Sequence, residues 1–310
     1  MNRVYTVAIA LVSIGIIGLS LSRISIPEEP KLITVFFGGD MMFDRSVRVA
    51  GEQHGDDHLL ACLDPLFAAV DTSVANLEGP ITAENSVSVG SAPGGAGNYT
   101  FTFPPSTAAL LAEHRVGFVS LGNNHIMNFG VAGVRSTLAA LDEAGVGAFG
   151  DPLTHRVERF KKEGMTLSFI GFNQFDTIGY RAAASTTLAH IRAESAAGNM
   201  PIVFAHWGEE YRSATPYQKK LAREFVDAGA KFVVGAHPHV VQEHEVYAGV
   251  PVYYSLGNLI FDQYWDATVQ RGLTLLVSFD ATGVVHVAEM PVYLQRDRQT
   301  CPRTNQNFAQ

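Results

Sequence analysis

From residue 32 onward, short apolar runs rich in β-branched and aromatic residues alternate with stretches whose apolar positions recur at spacings of three and four. The first pattern predicts strands at residues 32–37, 73–75, 117–121, 165–172, 202–205, 231–234, 251–255 and 273–279. The second predicts helices at 106–114, 131–144 and 216–228. Glycine or proline punctuates most junctions. This alternation predicts an α/β architecture with much of its sheet buried. The last hundred residues are richer in strand patterns, so the sheet is expected to be mixed. Residues 87–98, VSVGSAPGGAGN, are small and glycine-rich and predict a mobile loop. Neither an internal repeat nor a shift in composition marks a second folded domain.

The first residues follow a different pattern. Residues 4–21 are 18 consecutive positions without a charge. As a helix they would span roughly 27 Å, close to the hydrocarbon thickness of a bilayer. Arg3 precedes them and favours an N-terminus held in the cytoplasm. Residues 1–22 therefore read as a signal anchor or a signal peptide, with Ser20 and Ser22 offering small residues for a cut after Ser22. No cysteine stands nearby to carry a lipid. Residues 23–31, with Pro27 and Pro30, read as a stiff linker, residues 32–295 as the main domain and 296–310 as a tail. The expected location is the cell membrane, single-pass, with the main domain extracytoplasmic. Cleavage would instead give a secreted protein.

Composition narrows the function classes. Hydrophobic residues make up 47% of the 310 and charged residues 17%, which excludes global disorder. A net charge of −8 argues against nucleic acid as a partner, since phosphates require a basic face. Cys62 and Cys301 exclude a cysteine-built metal cluster. They could form one bridge, but nothing in the sequence brings positions 239 residues apart together.

Candidate chemistry gathers where apolar runs stop, the place where α/β sheets build their sites. Asp40 follows two glycines in VFFGGDMMFDR and either contributes to a site or caps the next helix. Asn76 and Glu78 are two apart in VANLEGP, so an extended strand points both to one face. Asn123, Asn124 and His125 follow the run VSLG, with Asn128 close behind. The alternative there is an asparagine turn before a helix. His206 ends VFAH, followed by Trp207, Glu209, Glu210 and Tyr211. His237 and His239 form a His-Pro-His sequence after VVGA, and an extended His-x-His pair projects both imidazoles to one side. Pro238 restricts the backbone between them. Oxygen and nitrogen donors without thiolate suit Mn, Fe or Zn, one or two ions, of the kind that lowers the pKa of bound water. His54, His58, His114, His155, His190, His244 and His286 show no comparable spacing.

The ordered blocks GGDMMFDR, ANLEGPIT, LGNNHIMNFG, AHWGEEY and GAHPHVVQEHEVYAGVPVYYSLGNLIFDQ resemble the CapA/PgsA family, associated with capsule and poly-γ-glutamate synthesis. The resemblance runs from about residue 33 to 263. It implies a calcineurin-like metallophosphatase fold, a two-sheet β-sandwich flanked by helices (α/β/β/α), outside a membrane anchor. It also implies roles. Asp40 and His239 would bind a first ion, and Asn124, His206 and His237 a second. Glu78 would bridge them, with Asn76 as the alternative. His125 would be the catalytic imidazole. Arg45 would hold an anionic group, Asn123 would lie among the substrate-binding or supporting residues, and Glu210 would orient a ligand histidine.

The chain departs from the superfamily pattern at three places. Met42 stands where the superfamily has a histidine, and it is expected to line the site without coordinating. Asn-Leu-Glu replaces Gly-Asp in the second motif, and Asn128 stands where an aspartate is common. Three functions follow as expectations. The first is a membrane-anchored component of anionic polymer synthesis or export, partnered by polymer synthase membrane subunits and the polymer itself. The second is a metal-dependent hydrolase acting on an envelope polymer, with His125 protonating the leaving group. The third is a non-catalytic scaffold.

Overall fold

The computed structural model describes residues 31–302. The expected anchor, the linker up to residue 30 and the tail from 303 lie outside the described residues. Among the described residues no helix is long and apolar enough to cross a membrane. In chain order the strands are β1 (Ile33–Met41), β2 (Thr72–Leu77), β3 (Phe118–Ser120), β4 (Gly147–Phe149), β5 (Glu158–Lys162), β6 (Met165–Asn173), β7 (Met200–His206), β8 (Phe232–Ala236), β9 (His244–Tyr247), β10 (Val250–Tyr253), β11 (Asn258–Ile260), β12 (Arg271–Asp280), β13 (Gly283–Leu294) and β14 (Thr300–Pro302). The α-helices are α1 (Arg45–His54), α2 (Asp64–Ala68), α3 (Ser106–Glu113), α4 (Gly130–Ala144), α5 (Tyr180–Ala196) and α6 (Pro216–Asp227).

Every strand and helix expected from residue 32 onward overlaps one of these. One sheet has the order β14-β13-β12-β1-β2-β3-β4, with β11 also paired to β1, and the other the order β5-β6-β7-β8-β10-β9. Strands β1 to β4 are parallel to one another while β12 runs antiparallel to β1, so the sheet is mixed as expected. The period-two alternation of strand side chains builds the layers. Val35 and Phe37 of β1 pack with Ile202 and Phe204 of β7 and with Phe232 and Val234 of β8 between the sheets. Phe36 faces the other way, into an apolar cluster with Val47 of α1, Leu111 of α3 and Val134 of α4. Val203 and Val233 pack outward with Ile191 of α5 and Phe225 of α6. The result is a mixed α/β structure of two sheets between helical layers, which fits a metallophosphatase-like fold.

Local chemistry sets the helix starts. Thr215 and Gln218 form a reciprocal capping box at α6, with Pro216 in the first turn. At α1 the cap is Asp44, whose side chain accepts from Arg45 N. Asp40 is therefore free of capping duty. Residues 296–302 do not trail away as expected. Their strand β14 pairs with β13, and Cys301 is disulfide-bonded to Cys62 with the Cα atoms 4.9 Å apart. Residues 87–98 are irregular, with a 3-10 turn beginning at Ala96.

Candidate metal centre

Five strand ends converge. Asp40, near the end of β1, is the register partner of Asn76 on β2 and of Asn258 on β11. That approach demands Gly39, because a Cβ there would lie 1.8 Å from the carbonyl oxygen of Gly257. The same close approach lets Asp40 N donate to Gly257 O at 3.0 Å. Glu78 follows β2, His206 ends β7, and His237 and His239 follow β8. Asp40, Asn76, Glu78 and His206 are fully buried, and His237 and His239 nearly so.

Two overlapping sets of ligand atoms result. Asp40, Glu78 and His239 form one, and Glu78, His206 and His237 the other, each with its donor atoms within 4.8 Å of one another. Glu78 belongs to both. Its Oε1 lies 3.7 Å from His206 Nε2 and 3.8 Å from His239 Nε2. Asn124 Oδ1 lies 2.8 Å from His206 Nε2, at the edge of the second set. Asn76 takes a different place from Glu78: its amide donates to Asp40 Oδ1 at 2.7 Å. Asn123 holds this arrangement from below, donating to Asn76 Oδ1 and Leu77 O and accepting from His125 N and Ile126 N.

Several expectations are corrected by these contacts. The His-Pro-His segment is not extended. His237 and His239 have φ of +97° and +57°, a region that side chains other than glycine seldom enter. Such strain persists where surrounding structure over-determines it, and here His237 N donates to Asp40 Oδ2 at 3.0 Å. Met42 is buried in the apolar cluster beneath α1, and its sulfur accepts from Asp44 N. Glu210 is exposed and makes no hydrogen bond to His206, His237 or His239. Asn258 supplies such a contact instead, with its Oδ1 at 2.9 Å from His239 Nδ1. Arg45 is not a free anion clamp. Its guanidinium pairs with Asp262 and lies 5.1 Å from the Phe101 ring centroid and 5.3 Å from that of Phe261. Asn258 and Asp262 both fall in the block SLGNLIFDQ, and their polar atoms so close to an apolar run were the available signal.

Burial governs the electrostatics. It raises the Asp40 carboxyl to about 7, against the lowering effect of His237 N and Asn76. It raises Glu78 well above the usual carboxylate range, reinforced by the Asp40 charge. Burial holds His237 down at about 4 and His239 at about 3, and it lowers His206 well below the usual imidazole range. The three imidazoles are thus neutral, the form that ligates a metal. His125 is likewise lowered by burial to about 4, against its contact with Asn128. Asn128 Oδ1 lies 3.1 Å from His125 Nδ1 and also accepts from Phe101 N at 2.8 Å. That second bond fixes which end of the amide faces the ring, so Nδ1 carries the proton and Nε2 is left as the acceptor.

Among the candidate metal ligands, three buried atoms lack a hydrogen-bond partner: both oxygens of Glu78 and Nδ1 of His237. Unpartnered buried polar atoms are rare in folded proteins. A cation would satisfy all three, so these groups could hold a metal ion.

Comparison with known proteins agrees in extent and order. Residues 34–263 match the family described as bacterial capsule synthesis protein PGA_cap. The PGA biosynthesis protein CapA of Bacillus subtilis is 29% identical over 269 residues, covering 79% of this chain and 70% of the relative. The capsule biosynthesis protein CapA of Bacillus anthracis is 29% identical over 270 residues, covering 79% of this chain and 64% of the relative. The chain thus spans about two thirds of the length of these relatives. The match takes in every strand end that builds the centre, and the chain belongs to the bacterial capsule synthesis protein family, the CapA/PgsA group.

Proposed function

We propose that the chain is an extracytoplasmic, membrane-anchored component of capsule polymer synthesis, acting on an anionic polymer such as poly-γ-glutamate through a centre that holds one or two divalent ions. The observation that carries this reading is the convergence of two ligand sets on the shared, unpartnered carboxylate of Glu78. The names of the two relatives support the polymer. The Cys62–Cys301 disulfide supports a location outside the cytoplasm, where such bonds persist. Polymer synthase membrane subunits are the proposed partners, with the N-terminal segment as the anchor.

Glu78, His206, His237 and Asn124 would hold one ion, and Asp40, Glu78 and His239 the other. The oxygen and nitrogen donors suit Mn, Fe or Zn. When bound, such an ion offsets the charge of an anionic group and activates water. The protein's own residues supply the rest. Asn76 and the backbone of His237 orient Asp40 through its two oxygens. Asn258 orients His239, leaving Nε2 toward Glu78. His125 offers Nε2 as a proton acceptor, with Asn128 fixing its tautomer. Arg45, locked to Asp262, adds positive field near Glu78.

The second reading, a metal-dependent hydrolase of an envelope polymer, would use His125 as a proton acceptor from water rather than, as expected from the sequence, as the donor to the leaving group. Metal content of the detergent-purified chain, reconstituted with Mn, Zn or Fe, tests the centre against a His237→Ala/His239→Ala control. One or two ions per chain, lost in the control, are expected. No metal in a folded chain overturns the centre and leaves a scaffold. Metal-dependent turnover lost in His125→Ala would move the function to the hydrolase.

A further inference from the structure

Arg45 is braced from a segment that the family match, residues 34–263, does not reach. It holds φ +49°, a conformation that persists only where its surroundings impose it. Its guanidinium lies beside two rings that each meet an imidazole near the centre. Phe101 lies 4.3 Å from the His125 ring, and Phe261 4.7 Å from that of His239. A shift of Arg45 would therefore be passed to both sides of the centre.

Asp262 fixes that position. Its Oδ1 accepts from Arg45, and its Oδ2 accepts from Ser46 Oγ at 2.8 Å and from Ser46 N at 3.3 Å. Ser46 Oγ accepts in turn from Arg298 Nε at 2.9 Å. One hydroxyl, with one proton to give and lone pairs to receive, thus joins Arg298 to Asp262. Arg298 is itself placed from behind. It sits at φ +73° in a turn where its N–H donates to Gln295 O at 2.9 Å and Gln295 N donates to Gln299 O at 2.8 Å. Its guanidinium lies 4.5 Å from the Tyr264 ring centroid, and its Nη1 donates to Arg296 O at 2.7 Å.

The sheet alone holds that turn weakly. β14 has three residues and pairs at the sheet edge with β13. An edge strand so short opens readily unless it is tied down. Two ties reach it from the segment between α1 and α2. Cys301 is bonded to Cys62, and Gln299 Nε2 donates to His58 O at 3.0 Å.

We propose that Arg298 is a positioning residue for Arg45, acting through Ser46 and Asp262, and that the Cys62–Cys301 disulfide sets it there. Reduction by a dithiol passes two electrons and two protons to the bridge, leaving two thiols and a cyclic disulfide, and frees β14 with Arg298. Arg45 then loses its fixed place, and with it the positive field that an anionic polymer meets beside the centre. That last consequence rests on the reading that the centre acts on such a polymer.

A double-mutant cycle on the detergent-purified full chain tests the path. Its members are wild type, Arg298→Ala, Cys62→Ser/Cys301→Ser and the variant carrying all three changes. The serine pair replaces chemical reduction, because a dithiol would itself take up metal. One readout is calorimetric affinity for a poly-γ-glutamate decamer. The other is amide exchange over residues 45–48, which needs no ligand. Affinity should fall about fivefold in Arg298→Ala and in the serine pair, with no further loss when they are combined. Exchange should rise in the same non-additive pattern. Arg298→Lys keeps the charge and a donor and should recover most of the affinity. Wild-type affinity and exchange in Arg298→Ala would overturn the proposal, and effects that simply add would overturn the role of the disulfide. Non-additive exchange without decamer binding upholds the brace and overturns the polymer reading. Equal decamer binding by all four members overturns the brace alone.

Discussion

Two buried glutamates lie in regions built to opposite ends. Glu194 sits on α5 against the second sheet. Its carboxylate accepts from Arg159 Nε at 2.9 Å and, in a second short contact, from Arg159 Nη2, and also from Ser168 and Asn199 at 2.7 Å each. The Arg159 guanidinium is the main reason its pKa falls to about 2. Glu78 has two oxygens and no donor for either. Burial and the neighbouring Asp40 charge push it up instead. A buried charge is tolerated when hydrogen-bonded and paired, and is costly otherwise. Glu194 is thus complete within the chain and serves the fold. Glu78 is left with no such donors and could instead hold a metal ion.

Substitution separates the two most sharply. Glu78→Gln removes the shared ligand, and metal affinity measured by dialysis and mass spectrometry should fall by more than about 100-fold, beyond what loss of an outer hydrogen bond produces. The metal-free variant should melt at or above the wild-type temperature, since a costly buried charge is gone. A large loss of folding stability would show instead that Glu78 serves the fold.

Glu194→Gln should do the reverse. Losing charge-assisted bonds from Arg159 should cost about 2 kcal/mol in urea unfolding, while metal content stays at the wild-type level. Asn258→Ala sharpens the picture at the edge of the centre. It frees His239 from its orienting contact, and metal affinity should drop about tenfold, while the lost bonds to Gln263 and Val269 O lower the melting temperature as well. Unchanged affinity would remove Asn258 from the supporting set.

The smallest effect is in acid. The Glu194 pKa is lowered from 4.5 to about 2, so its contribution is present above about pH 4.5 and is lost as pH falls toward 2. The stability difference between wild type and Glu194→Gln should therefore shrink over that interval. A difference that stays constant would remove the Arg159 pairing as its source.

Legibility in the sequence followed physical range. Strand-end residues such as Asp40, His206 and His237 announce themselves because an apolar run stops and a ligand-type residue follows within one or two positions. The strand β5, ERFKK, was missed because it is a charged edge strand with no apolar run. The helix α5 was missed because its small residues give a weak stripe. Asn258 and Asp262 were not selected because their roles arise from β11 lying beside β1, a pairing across more than 200 residues.

The sequence by itself determined the alternation of strands and helices, the mixed sheet, the family and the donor atoms available, because each depends on neighbours within one element or on ordered blocks. The tertiary structure alone decided that Glu78 faces both candidate ligand sets while Asn76 donates to Asp40, that Asp44 rather than Asp40 caps α1, and that Met42 is buried in the core. It alone brought Cys62 to Cys301 and locked Arg45 to Asp262. Each of these depends on the packing of segments distant in the chain, where a rotation of one residue changes which face a side chain serves.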